Sequence, residues 1–76
     1  MENLSRITFD PQVMGGKPCI RGMRVTVGTV VGLIASGKTV DQVLADYPYL
    51  EREDILQALS YAAWLAEERE LPLALP

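Results

Sequence analysis

The sequence predicts a mainly α domain, in which three helices follow a helix-turn-helix plan behind a short N-terminal β-strand or hairpin element. Three observations predict it. Apolar residues take up helical spacing from Val27 onward, a capping signal and a proline bracket a short middle segment, and a Gly/Pro-rich stretch separates both from a short alternating segment. Seventy-six residues make one small domain. It divides into a β/loop arm (1–26), a three-helix bundle (27–70) and an apolar tail (71–76).

Arg6-Ile7-Thr8-Phe9 alternates polar and apolar residues, the pattern of a strand. Met23 to Val27 either pairs with it or leads into the first helix. Val27, Val30, Val31 and Ile34 then occupy one helical face, and Gly37 stands where a left-handed residue ends a helix, so helix one is expected over 27–36. Its β-branched residues lower its intrinsic propensity, so packing must hold it. Thr39 followed by Gln42 is a capping box that opens helix two over 40–46, with Val40, Val43 and Leu44 facing inward. Pro48 stops that helix, since the residue before a proline avoids helical geometry. After the turn Tyr47 to Leu50, helix three is expected over 51–69, with Glu51, Glu53 and Asp54 at the positive end of its dipole. A short turn between the last two helices fits the helix-turn-helix plan.

On helix three, a 100° wheel puts Ile55, Leu59, Ala62 and Ala66 on one stripe, which is the expected core face. Trp64 falls nearly opposite, with Tyr61 beside it. Either the N-terminal segment folds over Trp64, or this side is a protein interface, where Trp and Tyr are common anchors. The tail, Leu71 to Pro76, is apolar and interrupted by prolines, so it is expected to lie against another subunit or a partner.

The stretch Asp10 to Val27 holds five Gly or Pro residues and three cations, Lys17, Arg21 and Arg24. Gly admits positive φ and Pro fixes φ, so this is a shaped loop. Val13, Met14, Ile20 and Met23 are expected to pin it to the core while the cations point outward. The net charge of −3 is distributed unevenly. Residues 1–38 carry Arg6, Lys17, Arg21, Arg24 and Lys38 against Glu2 and Asp10, a balance of +3. Residues 39–76 carry Arg52 and Arg69 against eight acids, a balance of −6. The N-terminal half is therefore expected to meet something anionic.

The same loop carries a resemblance. Asp10-Pro11, then Gly15-Gly16-Lys17-Pro18, then Ile20-Arg21-Gly22, Arg24-Val25 and Val27 resemble the signature of family 433 among the domains of unknown function. The likeness continues through Gly37, through Val43 to Pro48 and through Glu53 to Leu59, so it covers roughly residues 6–66. Members are small bacterial and archaeal proteins, and some are VapB-like antitoxins paired with a PIN-like ribonuclease toxin. The resemblance implies a homeodomain-like helix-turn-helix fold and a toxin partner. It also implies a cationic plug, Arg21 and Arg24, for an acidic nuclease site, because guanidinium pairs bidentately with carboxylates. The apolar tail and the Trp64 face are the other candidate anchors.

Composition narrows the chemistry. There is no histidine, which removes the commonest general base and the commonest neutral metal ligand. Cys19 has no base partner, and the single cysteine agrees with a reducing cytoplasm. Gly15-Gly16-Lys17 fits neither phosphate-loop nor dinucleotide spacing. No catalytic, cofactor or metal residues are therefore assigned, and no enzyme is expected. No 18-residue apolar run or secretory leader is present. With 49% hydrophobic residues in so small a chain, a homodimer or a tight partner is expected. The candidate partner- or nucleic-acid-binding residues are Lys17, Arg21, Arg24, Arg52, Gln57, Tyr61 and Trp64. An antitoxin-like protein that also represses its own operon is the favoured reading. The alternatives are a small DNA-binding transcriptional regulator, with the Lys17, Arg21 and Arg24 loop as the favoured surface on operator DNA ahead of Arg52 and Gln57, and a dimeric scaffold without a toxin. Acids at the start of helix three oppose the DNA reading, since phosphate neutralisation supplies most of the affinity.

Overall fold

The computed structural model describes residues 4–68. Its elements are β1 (Ile7–Thr8), β2 (Cys19–Ile20), α1 (Val27–Ala35), α2 (Val40–Asp46) and α3 (Arg52–Glu68). The architecture is mainly helical with a two-stranded antiparallel sheet at the N-terminal end, as the sequence pattern predicts. The apolar tail, and the expected end of helix three at Arg69, lie outside the described residues.

β1 pairs with β2 in the register Ile7 to Ile20 and Thr8 to Cys19. The other edge of β2 is used as well. Cys19 bridges Thr26, the Ile20 N–H donates to Val25 O at 2.9 Å, and the Val27 N–H donates to Pro18 O at 2.9 Å. The stretch before α1 is thus both a partner of β2 and a lead-in to the helix. Arg21 (φ 46°) and Gly22 (φ 73°) make the turn between these segments, the positive-φ pair of a primed hairpin turn. A second tight turn, Met14 to Gly16, carries three consecutive positive φ values.

α1 and α2 take the ends that their sequence specifies to within a residue. Thr26 caps α1 by accepting from the Thr29 N–H at 3.0 Å. At its far end the Gly37 N–H donates to Ile34 O and the Lys38 N–H to Leu33 O, and Gly37 adopts φ 107°. This is a Schellman closure. The Thr39–Gln42 capping box forms in both directions, at 3.1 and 2.8 Å.

Ile7, Ile20, Val25, Val27, Val30, Val43, Leu50, Ile55, Ala58 and Tyr61 form the core. The stripe that α3 buries differs from the one the wheel predicts. Asp54, Ile55, Ala58 and Tyr61 are buried, whereas Leu59 and Ala62 are half-buried and Ala66 is exposed. The N-terminal arm is the cause, because it covers the Asp54 and Tyr61 side of α3 and supplies partners for a charged residue there. Phe9 of the arm packs edge-on against Tyr61 with ring centres 5.9 Å apart, and Tyr61 lies 6.0 Å from Trp64. Trp64 is half-buried against the core rather than opposite it.

Candidate functional site

The first turn of α3 holds the one charged residue in the buried set, Asp54, at 0% exposure. Its carboxylate accepts four hydrogen bonds. Oδ1 receives Arg6 Nη1 and Arg21 Nε, both at 3.0 Å. Oδ2 receives Arg21 Nη2 at 2.9 Å and the Glu51 backbone N–H at 2.8 Å. Arg21 therefore grips the carboxylate with two nitrogens, the bidentate geometry that suits guanidinium to carboxylate. The Glu51 N–H bond is the N3-to-N-cap half of a capping box. Arg6 also pairs with Glu51, and its backbone N–H donates to Gln57 Oε1 at 2.8 Å. Arg21 Nη2 reaches Tyr49 O at 2.9 Å as well. Two arginines from the arm, with Asp54 of α3 and Glu51 just before it, thus form a charge-balanced knot between chain segments far apart in sequence. No buried side-chain nitrogen or oxygen among the described residues lacks a partner.

The knot sets the electrostatics of this end of the molecule. Burial pushes the Asp54 carboxyl upward, but the bonds from Arg21, the Glu51 N–H and Arg6 outweigh it and hold the group below its ordinary value. Hydrogen bonds to Glu51 and then Asp54 raise the Arg6 guanidinium, and the bond to Asp54 raises Arg21.

The other expected site residues are dispersed. Arg21 is not a free cation like its neighbours, because its guanidinium is bound to Asp54 although 37% of the side chain stays exposed. Arg52 pairs with Asp41 of α2 at 2.6 Å, and Gln57 is bound to the arm. Tyr61 belongs to the core, with Trp64 alongside. Lys17 and Arg24 are exposed and form no ion pair with another described residue. They stand on segments fixed by the backbone bonds of β2. Cys19 is buried, with its thiol directed to Lys17 O at 3.3 Å. The described residues contain no group of three or more His, Cys, Asp or Glu placed to hold a metal ion. No described helix is long and apolar enough to cross a membrane.

A groove of about 520 Å3 runs between α1 and α3. Its lining is almost wholly apolar: Val27, Gly28, Val31 and Gly32 from α1, with Tyr61, Ala62 and Leu65 from α3, and Lys17, Pro18 and Thr26 at the rim.

The family described as "Protein of unknown function (DUF433)" matches residues 7–62, from β1 through most of α3. The chain is a DUF433 protein. It is 39% identical over 56 residues to the uncharacterized protein y4eO of Sinorhizobium fredii (strain NBRC 101917 / NGR234). That match covers 74% of this chain and only a quarter of the longer relative. A DUF433 member from Anabaena variabilis ATCC 29413, whose crystal structure was determined at 2.00 Å resolution, superposes with a TM-score of 0.76 at 35% identity. The superposition covers 83% of this chain and 62% of that one. Most of the knot, with Arg21, Glu51, Asp54 and Gln57, lies inside the DUF433 span, whereas Trp64, Leu65 and the tail lie beyond it.

Asp54 and Arg6 escaped the sequence reading. Asp54 sits in the first helical turn, where an acid already has a satisfactory role at the dipole, so nothing in its local context demands burial. Arg21 precedes Gly22 in a tight turn and adopts positive φ, but that backbone geometry says nothing of its side chain, whose acceptor lies 33 positions away.

Proposed function

We propose that this chain is an antitoxin-like, non-enzymatic binding protein that acts in the cytoplasm as a homodimer. It engages and silences a PIN-like ribonuclease toxin and represses its own operon. The observation that carries this reading is the contrast among the arm's cations. Arg6 and Arg21 are neutralised within the fold, while Lys17 and Arg24 stand exposed on rigid backbone. A guanidinium carried on hydrogen-bonded backbone is suited to an acidic, metal-binding nuclease site, because little loop freedom remains to be lost on binding. In this reading Arg24 is the plug, Lys17 supports it, and Arg21 holds the loop that displays them. The resemblance of the loop to the signature of a family in which some members are VapB-like antitoxins supports the same partner.

The test is coexpression with the product of the adjacent gene, scoring growth rescue and copurification together. Rescue with a stable complex supports the reading. A non-toxic neighbour that does not bind removes it.

One observation favours a second reading, a DNA-binding regulator. Glu51 and Asp54, which would repel phosphate at the start of α3, are paired with Arg6 and Arg21. Against it, Arg52 and Gln57 are already engaged within the fold. Strongly salt-dependent mobility shifts on the chain's own promoter, without any toxin, are the result that would favour it.

A further inference from the structure

We infer that the groove between α1 and α3 is the seat of this chain's own tail, with Leu73 and Leu75 laid against Val31, Gly32 and Leu65. The inference stands apart from the antitoxin reading and survives its failure.

Three observations carry it. The groove is apolar, and it lies beside the end of α3 from which the tail departs: Leu65 lines it one turn before Glu68, and Tyr61 two turns before. From Leu71 to Pro76 the sequence has no charged side chain, and leucine recurs at every second position through Leu75. In an extended segment that period places Leu73 and Leu75 on one side.

The reach is sufficient. Along α3, Leu65 and Tyr61 lie about 4.5 and 10.5 Å before Glu68, at 1.5 Å per residue. Eight residues of the sequence follow Glu68, and beyond the four that any reversal needs the remaining four can span about 13 Å, enough to pass Leu65 and reach Tyr61.

The floor of the groove supplies the third observation. Gly28 and Gly32 stand one turn apart in a nine-residue helix, where alanine is the better helix former. A Cβ added at Gly32 would meet nothing within 4 Å among the described residues. The bare backbone there leaves room for something to lie close upon it. A tethered segment is favoured over a free one because its effective concentration is high at any protein concentration.

Four proteins test this: the full chain, the chain stopped after Glu70, and Gly32→Phe in each. Folding equilibria come from denaturant titration, and amide exchange at Val31 and Leu65 reports on the groove. Stopping the chain is expected to lower the folding constant about tenfold and to speed exchange at both amides. Gly32→Phe, which fills the groove, is expected to lower the folding constant by a similar factor in the full chain and to leave it unchanged or raised in the shortened one. Equal effects of Gly32→Phe in both backgrounds would overturn the inference. So would coupling seen only at concentrations where sedimentation shows a dimer, since the groove would then belong to a second copy.

Discussion

Asp54 is the residue on which the molecule's two ends depend. A fully buried carboxylate is tolerated only because four donors surround it, and removing either side of such a pair leaves an uncompensated group. Asp54→Ala is expected to destabilise the fold by about 3–5 kcal/mol, measured by denaturant titration. Arg21→Ala should lower the melting temperature well below that of Arg24→Ala, because only Arg21 holds the buried acid. The pH dependence has a definite sign. The Asp54 carboxyl is held below its ordinary value in the fold, so its contribution is complete above about pH 4 and fades as pH falls further, toward the folded-state value. The stability gap between the wild type and Asp54→Asn should therefore narrow below about pH 4, in melts recorded across the acid range. The cations of the loop were legible in the sequence, but their division was not. Arg21 and Arg24 are alike in composition and spacing, and what separates them is the Asp54 carboxylate, 33 positions beyond Arg21 and bound by it alone of the two.

At the scale of elements, local chemistry decides the ends and tertiary contact decides the faces. The capping box at Thr39, the left-handed Gly37 and the stop before Pro48 are local devices, so the bounds of α2 were readable from sequence alone. Seven residues are too few for a helix to persist without such help. Thr39→Ala should cost about 1 kcal/mol through the lost cap. Gly37→Ala should cost about as much, through strain at φ 107° rather than any clash, since a Cβ there meets open space. Thermal melts of the two variants check both. The buried stripe of α3 was misread for the converse reason. A wheel scores Asp54 as polar and places it outside, but its partners come from residues 6 and 21, beyond the view of any helical window. The same blindness placed Trp64 opposite the core, although Phe9 and Tyr61 carry the arm onto that side of α3.

For the whole molecule, charge polarity is the property that the fold edits. The sequence divides into a cationic half and an anionic half, but the knot joins them and leaves Lys17 and Arg24 as the exposed cations of the loop. The binding reading follows at this scale. Lys17→Ala with Arg24→Ala should weaken a toxin complex by roughly 2 kcal/mol or more, the scale of a hot spot. The lost affinity should include a slower, less salt-sensitive association rate, with the melting temperature of the free protein unchanged. Surface plasmon resonance at two ionic strengths would show it. The bond between Arg6 and Asp54 also spans 48 positions of the chain. A ribosome adds residues in order, so both arginines and the strands that carry them emerge well before the carboxylate that anchors them. Until α3 is made, the arm has lost neither its charge nor its exposed Phe9, Ile7 and Ile20 to any partner. α1 and α3 pack together across the length of α2, and the arm reaches α3 across a longer span still, so closure of the arm is the longest-range step of folding.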